Sequence, residues 1–301
     1  MAEATAPRID QELTVCPLCR RAASGHALFE APHWRGIDLQ YRICSRCGLV
    51  FQTPRPSEQA LVEFYDRGYR QLMQGQEDPT EKDRRVQEAR AGHLLAFVQR
   101  RIAPPKLHLD IGSSTGALLE TFAGRFGSRP FGVEPGEAYR RWSQERGLEV
   151  FPDLRAAGEG SPGKFDLISM IHVLEHLHQP LEYLQGLRRD YLAQDGHLLI
   201  EVPNLFGHRS VEFSHLYLFF ERTLRQTLQA AGFETLQTWI HGRPRSRTLG
   251  LYLALLARPR PPVAESNPHW RAWDVRMRRR LGMLRMKFFT RLLPGWTWQE
   301  V

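Results

Sequence analysis

The sequence predicts a doubly wound α/β domain, built on a mostly parallel sheet of seven strands, with a small cysteine-framed module ahead of it. Three observations carry that expectation. Between residues 106 and 257, short apolar runs alternate with segments of helical period. The first run (Leu107, Leu109, Ile111) holds Asp110 near its end and is followed by Gly112, a polar turn and a helix-like stretch. That order is strand, tight turn, helix. All four cysteines stand upstream in two C-x-x-C pairs.

At 301 residues the chain has room for one large domain and one small module. Its longest apolar run, residues 249–257, is too short to span a membrane and suits a buried strand. The opening stretch MAEATAPRIDQEL lacks the apolar core of a signal peptide, so a cytoplasmic protein is expected. The formal charge of +8 hints at nucleic acid until it is located. Residues 258–301 hold ten Lys or Arg against three acids, and the chain before them is nearly neutral. The basicity therefore belongs to one segment, and nucleic acid is not the expected partner.

Residues 12–55 form the first unit. Cys16-Pro-Leu-Cys19 and Cys44-Ser-Arg-Cys47-Gly48 are two knuckles that supply four thiolates for a tetrahedral Zn²⁺. A four-sulfur site has no open position, so its role is structural. His26 and His33 lie between the knuckles and are not needed as ligands. Residues 56–104 read as a helical connector lying over the mouth of the next domain. Ser57 is placed to cap a helix through Ala60, Leu61, Phe64 and Tyr65. After a polar loop over 75–80, Val86, Ala89, His93, Leu94, Phe97 and Ile102 mark a second helix, which Pro104-Pro105 ends.

The α/β domain occupies 105–258. Strands are expected over 106–111, 130–133, 149–151, 165–171, 197–202, 234–240 and 251–257, with helices over 116–125, 138–146, from about 180, and over 223–231. The short link between the last two strands implies one antiparallel edge strand. At the first turn, Gly112, Ser113, Ser114 and Gly116 present backbone N–H groups and a helix N-terminus. Asp110 would repel a diphosphate there, so the expected ligand carries a cationic or hydroxyl-rich group. Glu134 ends the second strand, where a carboxylate can accept both hydroxyls of a ribose. Asp153, after the third strand, is a candidate for contact with adenine.

LDIGSSTG resembles the first motif of class I S-adenosylmethionine-dependent methyltransferases, and HVLEHL with Pro180 resembles their fourth. The cysteine knuckles followed by CGLVFQTPRPS and FYDRGY resemble a bacterial group that fuses a zinc-binding domain to such an enzyme. Several members of that group are nucleotide-sugar C-methyltransferases, and others accompany polysaccharide synthesis. The resemblance covers about residues 12–257. It implies a Rossmann-like methyltransferase fold with a zinc-ribbon-like module, S-adenosyl-L-methionine and Zn²⁺ as cofactors, and a sugar-type acceptor. It also implies Ile171 and His172 beside the methionine and adenosyl groups.

In the sugar C-methyltransferases, the segment after the fifth strand carries Tyr, Glu and His, the His acting as base. Here His215 fits the His position, but Glu212 stands at the Tyr position and Ser214 at the Glu position. His215 is therefore the expected base, oriented by Glu212 or Glu175, with His176 as a second candidate. A packing role for either histidine is the bland alternative.

In the tail (259–301), a proline-rich linker leads to Trp273, Met277, Leu281, Leu284, Phe288 and Leu292 at helical spacing. Arg276, Arg278, Arg279, Arg280 and Lys287 flank them, with Trp270, Trp296 and Trp298 at the ends. The pattern suits an anionic membrane at the inner face, or a helix packed on its own domain or a dimer mate. The alternative functions are a scaffold that has lost transfer activity, and a methyltransferase acting on RNA or a lipid-linked intermediate.

Overall fold

A computed structural model of the chain describes residues 8–66, 76–209, 211–261 and 272–298. Part of the FYDRGY segment, the linker over 262–268 and Trp270 lie outside the described residues. In the N-terminal module, β1 (His26–Glu30), β4 (Tyr41–Cys44) and β5 (Val50–Gln52) pair antiparallel, and a small ribbon of β2 (His33–Trp34) and β3 (Ile37–Asp38) sits between the first two in sequence. Among the described residues two helices follow, α1 (Glu58–Asp66) and α2 (Glu81–Val98).

The start of α2 is fixed by a reciprocal cap. Thr80 Oγ1 accepts the Asp83 N–H at 3.0 Å, and Asp83 accepts the Thr80 N–H at 3.0 Å. Its apolar face (Leu94, Phe97, Val98) packs on Leu118 and Phe122 and on the sheet at Leu167, Leu199 and Leu256. So α2 packs as a layer of the α/β body. The helix also stops at Val98; Ile102 reaches the same cluster from the turn that follows.

The body runs β6 (Leu107–Ile111), α3 (Ala117–Phe126), β7 (Arg129–Val133), α4 (Glu137–Gln144), β8 (Glu149–Phe151), α5 (Leu154–Gly160), β9 (Phe165–Ile171), α6 (Pro180–Gly186) and β10 (Leu192–Pro203). It continues with β11 (Tyr217–Leu218), α7 (Glu221–Ala230), β12 (Phe233–His241) and β13 (Tyr252–Pro259). Across the sheet the order is β12-β13-β10-β9-β6-β7-β8, with only β13 antiparallel to its neighbours. All seven expected strands form. β10 begins five residues before the expected 197, because Leu192 already pairs with Phe165 before a shift in register.

Two features were not anticipated. β11 leaves the α/β body and pairs antiparallel with β5, so the module and the large domain share one four-stranded sheet. The Gln52 N–H donates to the Leu216 carbonyl at 2.8 Å, and Tyr41 Oη–H donates to the His215 carbonyl at 2.6 Å. Second, the tail helix α8 (Ala272–Leu292), followed by α9 (Pro294–Thr297), docks through the face opposite its apolar stripe. Val275 is buried, and a Cβ on Gly282 would fall 1.9 Å from the Phe206 carbonyl, so only glycine permits that approach. Arg279 is buried and donates to Glu30 at 3.0 Å and to the carbonyls of Leu205 and His208 at 2.5 and 2.7 Å. Arg276 donates to the Leu28 carbonyl. Among the described residues no helix is long and apolar enough to cross a membrane.

Candidate active site and cysteine centre

The turn after β6 lies at the carboxyl ends of the parallel strands, where the order of the sheet reverses direction. Gly112 and Gly116 adopt φ of +75° and +78°, values that favour glycine. A Cβ on Gly112 would lie 2.6 Å from Val173 Cγ2, so the turn seats directly on the loop after β9. Ser114, also at positive φ, donates its N–H to Glu134 Oε2 at 2.9 Å, and the Gly136 N–H reaches Oε1 at 3.0 Å. Glu134 is thereby clamped across the mouth of the turn. The Ser113 and Thr115 hydroxyls are buried without hydrogen-bond partners. Orphaned polar atoms beside a fixed carboxylate suit a polar ligand that completes them, so these residues fit an adenosyl cofactor.

Asp110 lies one shell deeper. It is 3% exposed, and Ser169 Oγ–H donates to it at 2.6 Å while accepting from His108 Nε2–H at 2.8 Å. Burial, reinforced by Glu134 and opposed by the serine, pushes its carboxyl up to about 7. Burial alone takes His108 down to about 3. Asp153 caps α5, accepting the Ala156 N–H at 2.8 Å, and so stands at the end of β8 as a helix cap.

The loop after β9 gathers the titratable groups. Ile171 ends the strand, half-buried. His172 is held at φ +57°, with Nε2 at 3.1 Å from Glu201 Oε1 and Nδ1 at 3.3 Å from Glu175 Oε1. Glu201 is fully buried and faces three basic side chains: Arg90 Nε at 3.5 Å, His241 Nε2 at 3.1 Å and His172. Burial opposes its charge, but Arg90 and the two imidazoles outweigh that and hold it well below the usual carboxylate range. Burial and Arg90 likewise oppose a charged His172, and the two carboxylates overcome them, so its value is raised. Sequence reasoning missed this four-element network, because Arg90, His172, Glu201 and His241 are scattered over 150 residues with no local spacing to join them.

Glu175, His176 and His215 form a second cluster, with ligand-type atoms all within 4.8 Å of one another. His176 and His215 have ring centroids 4.9 Å apart. The Leu216 N–H donates to the Glu175 carbonyl at 2.9 Å, which ties the segment carrying His215 to the turn carrying Glu175. Burial, with His176 next, pushes His215 down to about 3. Burial works against a charged Glu175, but the surrounding histidines hold its carboxyl down at about 2. Glu212 gives its main-chain carbonyl to the His215 N–H at 3.0 Å, and its carboxylate is not among the three clustered groups. A small open pocket lies beside His215 and Tyr217, lined also by Asn204, His208, Val211 and Arg279.

In the module, Cys16 and Cys47 Sγ lie 3.6 Å apart and Cys19 and Cys44 Sγ 3.5 Å apart, and none of the four is disulfide-bonded. Tetrahedral zinc with Zn–S near 2.3 Å needs sulfurs about 3.8 Å apart. The donor set and its spacing fit that ion.

A family model described as "Methyltransferase domain" matches residues 82–238. No curated protein matches the chain. Among solved structures, the fold is similar to 1,6-didemethyltoxoflavin-N1-methyltransferase of Burkholderia thailandensis, with bound 1,6-didemethyltoxoflavin and S-adenosylhomocysteine (TM-score 0.51, 21% identity, covering 77% of this chain and 100% of that one). Magnesium protoporphyrin IX methyltransferase of Synechocystis PCC 6803 with bound SAM also matches (TM-score 0.47, 17% identity, 68% and 97%). So does the CcbJ methyltransferase of Streptomyces caelestis (TM-score 0.47, 15% identity, 57% and 90%).

Proposed function

The chain belongs to the methyltransferase-domain family, and from that membership we propose that it methylates a hydroxyl of a small polyhydroxylated acceptor, a nucleotide-linked or glycan-linked sugar. The observation that carries the reading is the adjacency of two built sites. Gly112 of the cofactor turn abuts Val173, which leads directly into the turn bearing Glu175 and His176. S-adenosyl-L-methionine, when bound, supplies a methyl group already activated on a sulfonium, so the protein's task is alignment and exclusion of water. Glu134, Ser113, Ser114 and Thr115 hold the adenosyl side. Asp110 acts through the turn it braces. Ile171 and His172 border the donor, and His172 is kept in place by Glu175 and Glu201. Glu175, His176 and His215 receive the acceptor hydroxyl from the cavity side. Incubation with isotopically labelled donor and a panel of nucleotide sugars, read by mass spectrometry, tests this. A labelled methyl on a sugar hydroxyl supports the reading; label on no panel member, with donor binding intact, removes the sugar acceptor.

Zn²⁺ in the four-cysteine site is the second part of the proposal. There it crosslinks the two knuckles and fixes β4 and β5 against β11. The third part concerns α8. Trp273, Leu281, Leu284 and Phe288 are 57–63% exposed on the face turned away from the body, with Arg276, Arg280, Lys287 and Arg291 along one flank. An exposed apolar stripe with basic edges suits an anionic bilayer surface, where the enzyme would meet lipid-linked acceptors. In flotation with vesicles rich in anionic lipid, the wild type is expected to float and the Leu284→Ser/Phe288→Ser variant to stay in solution. Equal partitioning of the two sinks the membrane contact.

A further inference from the structure

The cluster of Glu175, His176 and His215 has a feature that simple acid–base work leaves unexplained. The Glu175 side chain is 2% exposed, and neither of its carboxylate oxygens receives a hydrogen bond among the described residues. Its nearest charged neighbour is His172, whose Nδ1 forms an ion pair with Oε1 at 3.3 Å. One ion-pair contact leaves the two oxygens short of the several donors that a buried carboxylate takes.

The orientation of His176 sharpens the point. Its Nδ1 lies 2.9 Å from the Ser214 carbonyl, and a carbonyl can only accept, so Nδ1 carries the proton. Its Nε2 faces Glu175 Oε1 across 3.8 Å, too long for a direct hydrogen bond and wide enough to admit an ion between the two atoms. A cation placed there takes both atoms as ligands. An Nδ1–H···O=C bond behind an Nε2 donor is also the usual outer-shell arrangement of a ligating histidine. His215 completes the set from the opposite wall, its backbone fixed by Tyr41 on the carbonyl and by Glu212 on the N–H.

We propose that Glu175, His176 and His215 form a second metal site, distinct from the cysteine centre, which holds a divalent first-row cation beside the methyl donor. It rests on the methyl-transfer reading above and specifies how the acceptor is handled. Two imidazoles and one carboxylate are borderline-to-hard ligands, which favours Mn²⁺, Fe²⁺ or Zn²⁺ over a thiolate-selective ion. Metal–ligand bonds near 2.1 Å require the three side chains to close by about 1 Å from their present separation within 4.8 Å. Three protein ligands leave coordination positions open, and His215 also lines the adjoining pocket, so the acceptor class is one that offers two neighbouring oxygens, a vicinal diol or an enediol. Coordination acidifies one hydroxyl. Its proton leaves to solvent water, and its oxygen lone pair forms the new O–C bond as the donor's S–C bond breaks. The sulfonium becomes a neutral thioether and the alkoxide a methyl ether, so atoms and charge balance.

The test uses the full-length, zinc-loaded chain and Mn²⁺ as the probe, read by electron paramagnetic resonance and water-proton relaxation. One Mn²⁺ per chain is expected, without displacement of the cysteine-bound zinc, and with enhanced relaxation from waters in the open positions. Glu175→Gln and His215→Gln should each weaken Mn²⁺ binding at least thirtyfold, and His215→Gln should leave S-adenosylhomocysteine affinity within threefold. Absence of stoichiometric Mn²⁺ binding to the wild type overturns the proposal, as does unchanged binding in both variants. S-adenosylhomocysteine binding is measured in the same samples. If it is absent from the wild type, the methyl-transfer reading fails; if it is present without Mn²⁺, only the metal site does. Should either variant lose S-adenosylhomocysteine binding through misfolding, His176→Gln and the wild-type stoichiometry still decide.

Discussion

At the scale of single residues, the fold imposes conditions that only particular side chains meet. Gly112 must take φ of +75° with Val173 Cγ2 closing on the place of a Cβ. Gly112→Val is therefore expected to cost about 3 kcal/mol or more from combined strain and overlap, seen as a lower denaturation midpoint. His108 shows the opposite kind of constraint, a buried imidazole kept neutral. Its folded value of about 3 lies below the ordinary 6.5. Between those limits the unfolded chain binds a proton there that the folded chain does not, so stability falls as the pH drops from 6.5 toward 3. In His108→Gln, the slope of unfolding free energy against pH between 4 and 6 should be shallower by about 1.4 kcal/mol per unit. An unchanged slope would show that His108 is not held neutral.

At the scale of elements, what was legible in the sequence depended on whether the partners lay close together in the chain. The turn from Asp110 to Gly116 is a local pattern, and its backbone conformation was readable. Glu134 was readable because it ends the next strand of the same unit. The pairing of Glu175 and His176 with His215 spans about 40 residues, and only a family resemblance pointed to His215. Arg90 of α2 reaching Glu201 of β10 could not be anticipated, because it depends on how a helix lies across a sheet. α8 makes the same point in reverse. Its apolar period was plain, yet that stripe faces outward, and the docked face is built from Val275, Arg279 and Gly282. Arg279 pins α8 to β1 and to the segment after β10. Arg279→Met removes those bonds and strands Glu30 and two carbonyls, at a cost of about 2–4 kcal/mol. Limited proteolysis should then cut within α8 while the wild-type helix stays protected; equal protection would mean that Arg279 does not anchor it.

At the scale of the whole molecule, β11 decides how the parts behave together. Because Tyr217 and Leu218 complete the module's sheet while His215 just before them completes the polar cluster, the module's sheet and the candidate active site meet within one short segment. Removing zinc with a strong chelator is expected to lower the thermal midpoint by roughly 10 °C, from several kcal/mol of metal-linked folding energy at about 2–4 °C per kcal/mol. Module and large domain should unfold in one transition. Two separate transitions, with the second unmoved by the chelator, would show that the shared sheet does not couple them.

The central claim is a live methyl-donor site at the reversal point of the sheet, and S-adenosylhomocysteine titrated calorimetrically into wild type and Glu134→Ala measures it directly. Glu134 is the fixed carboxylate of that site, so the wild type should bind one equivalent and the variant should bind roughly 10- to 100-fold more weakly, the loss of one or two hydrogen bonds to a charged group. No heat of binding in the wild type, or the same affinity in both, would contradict it.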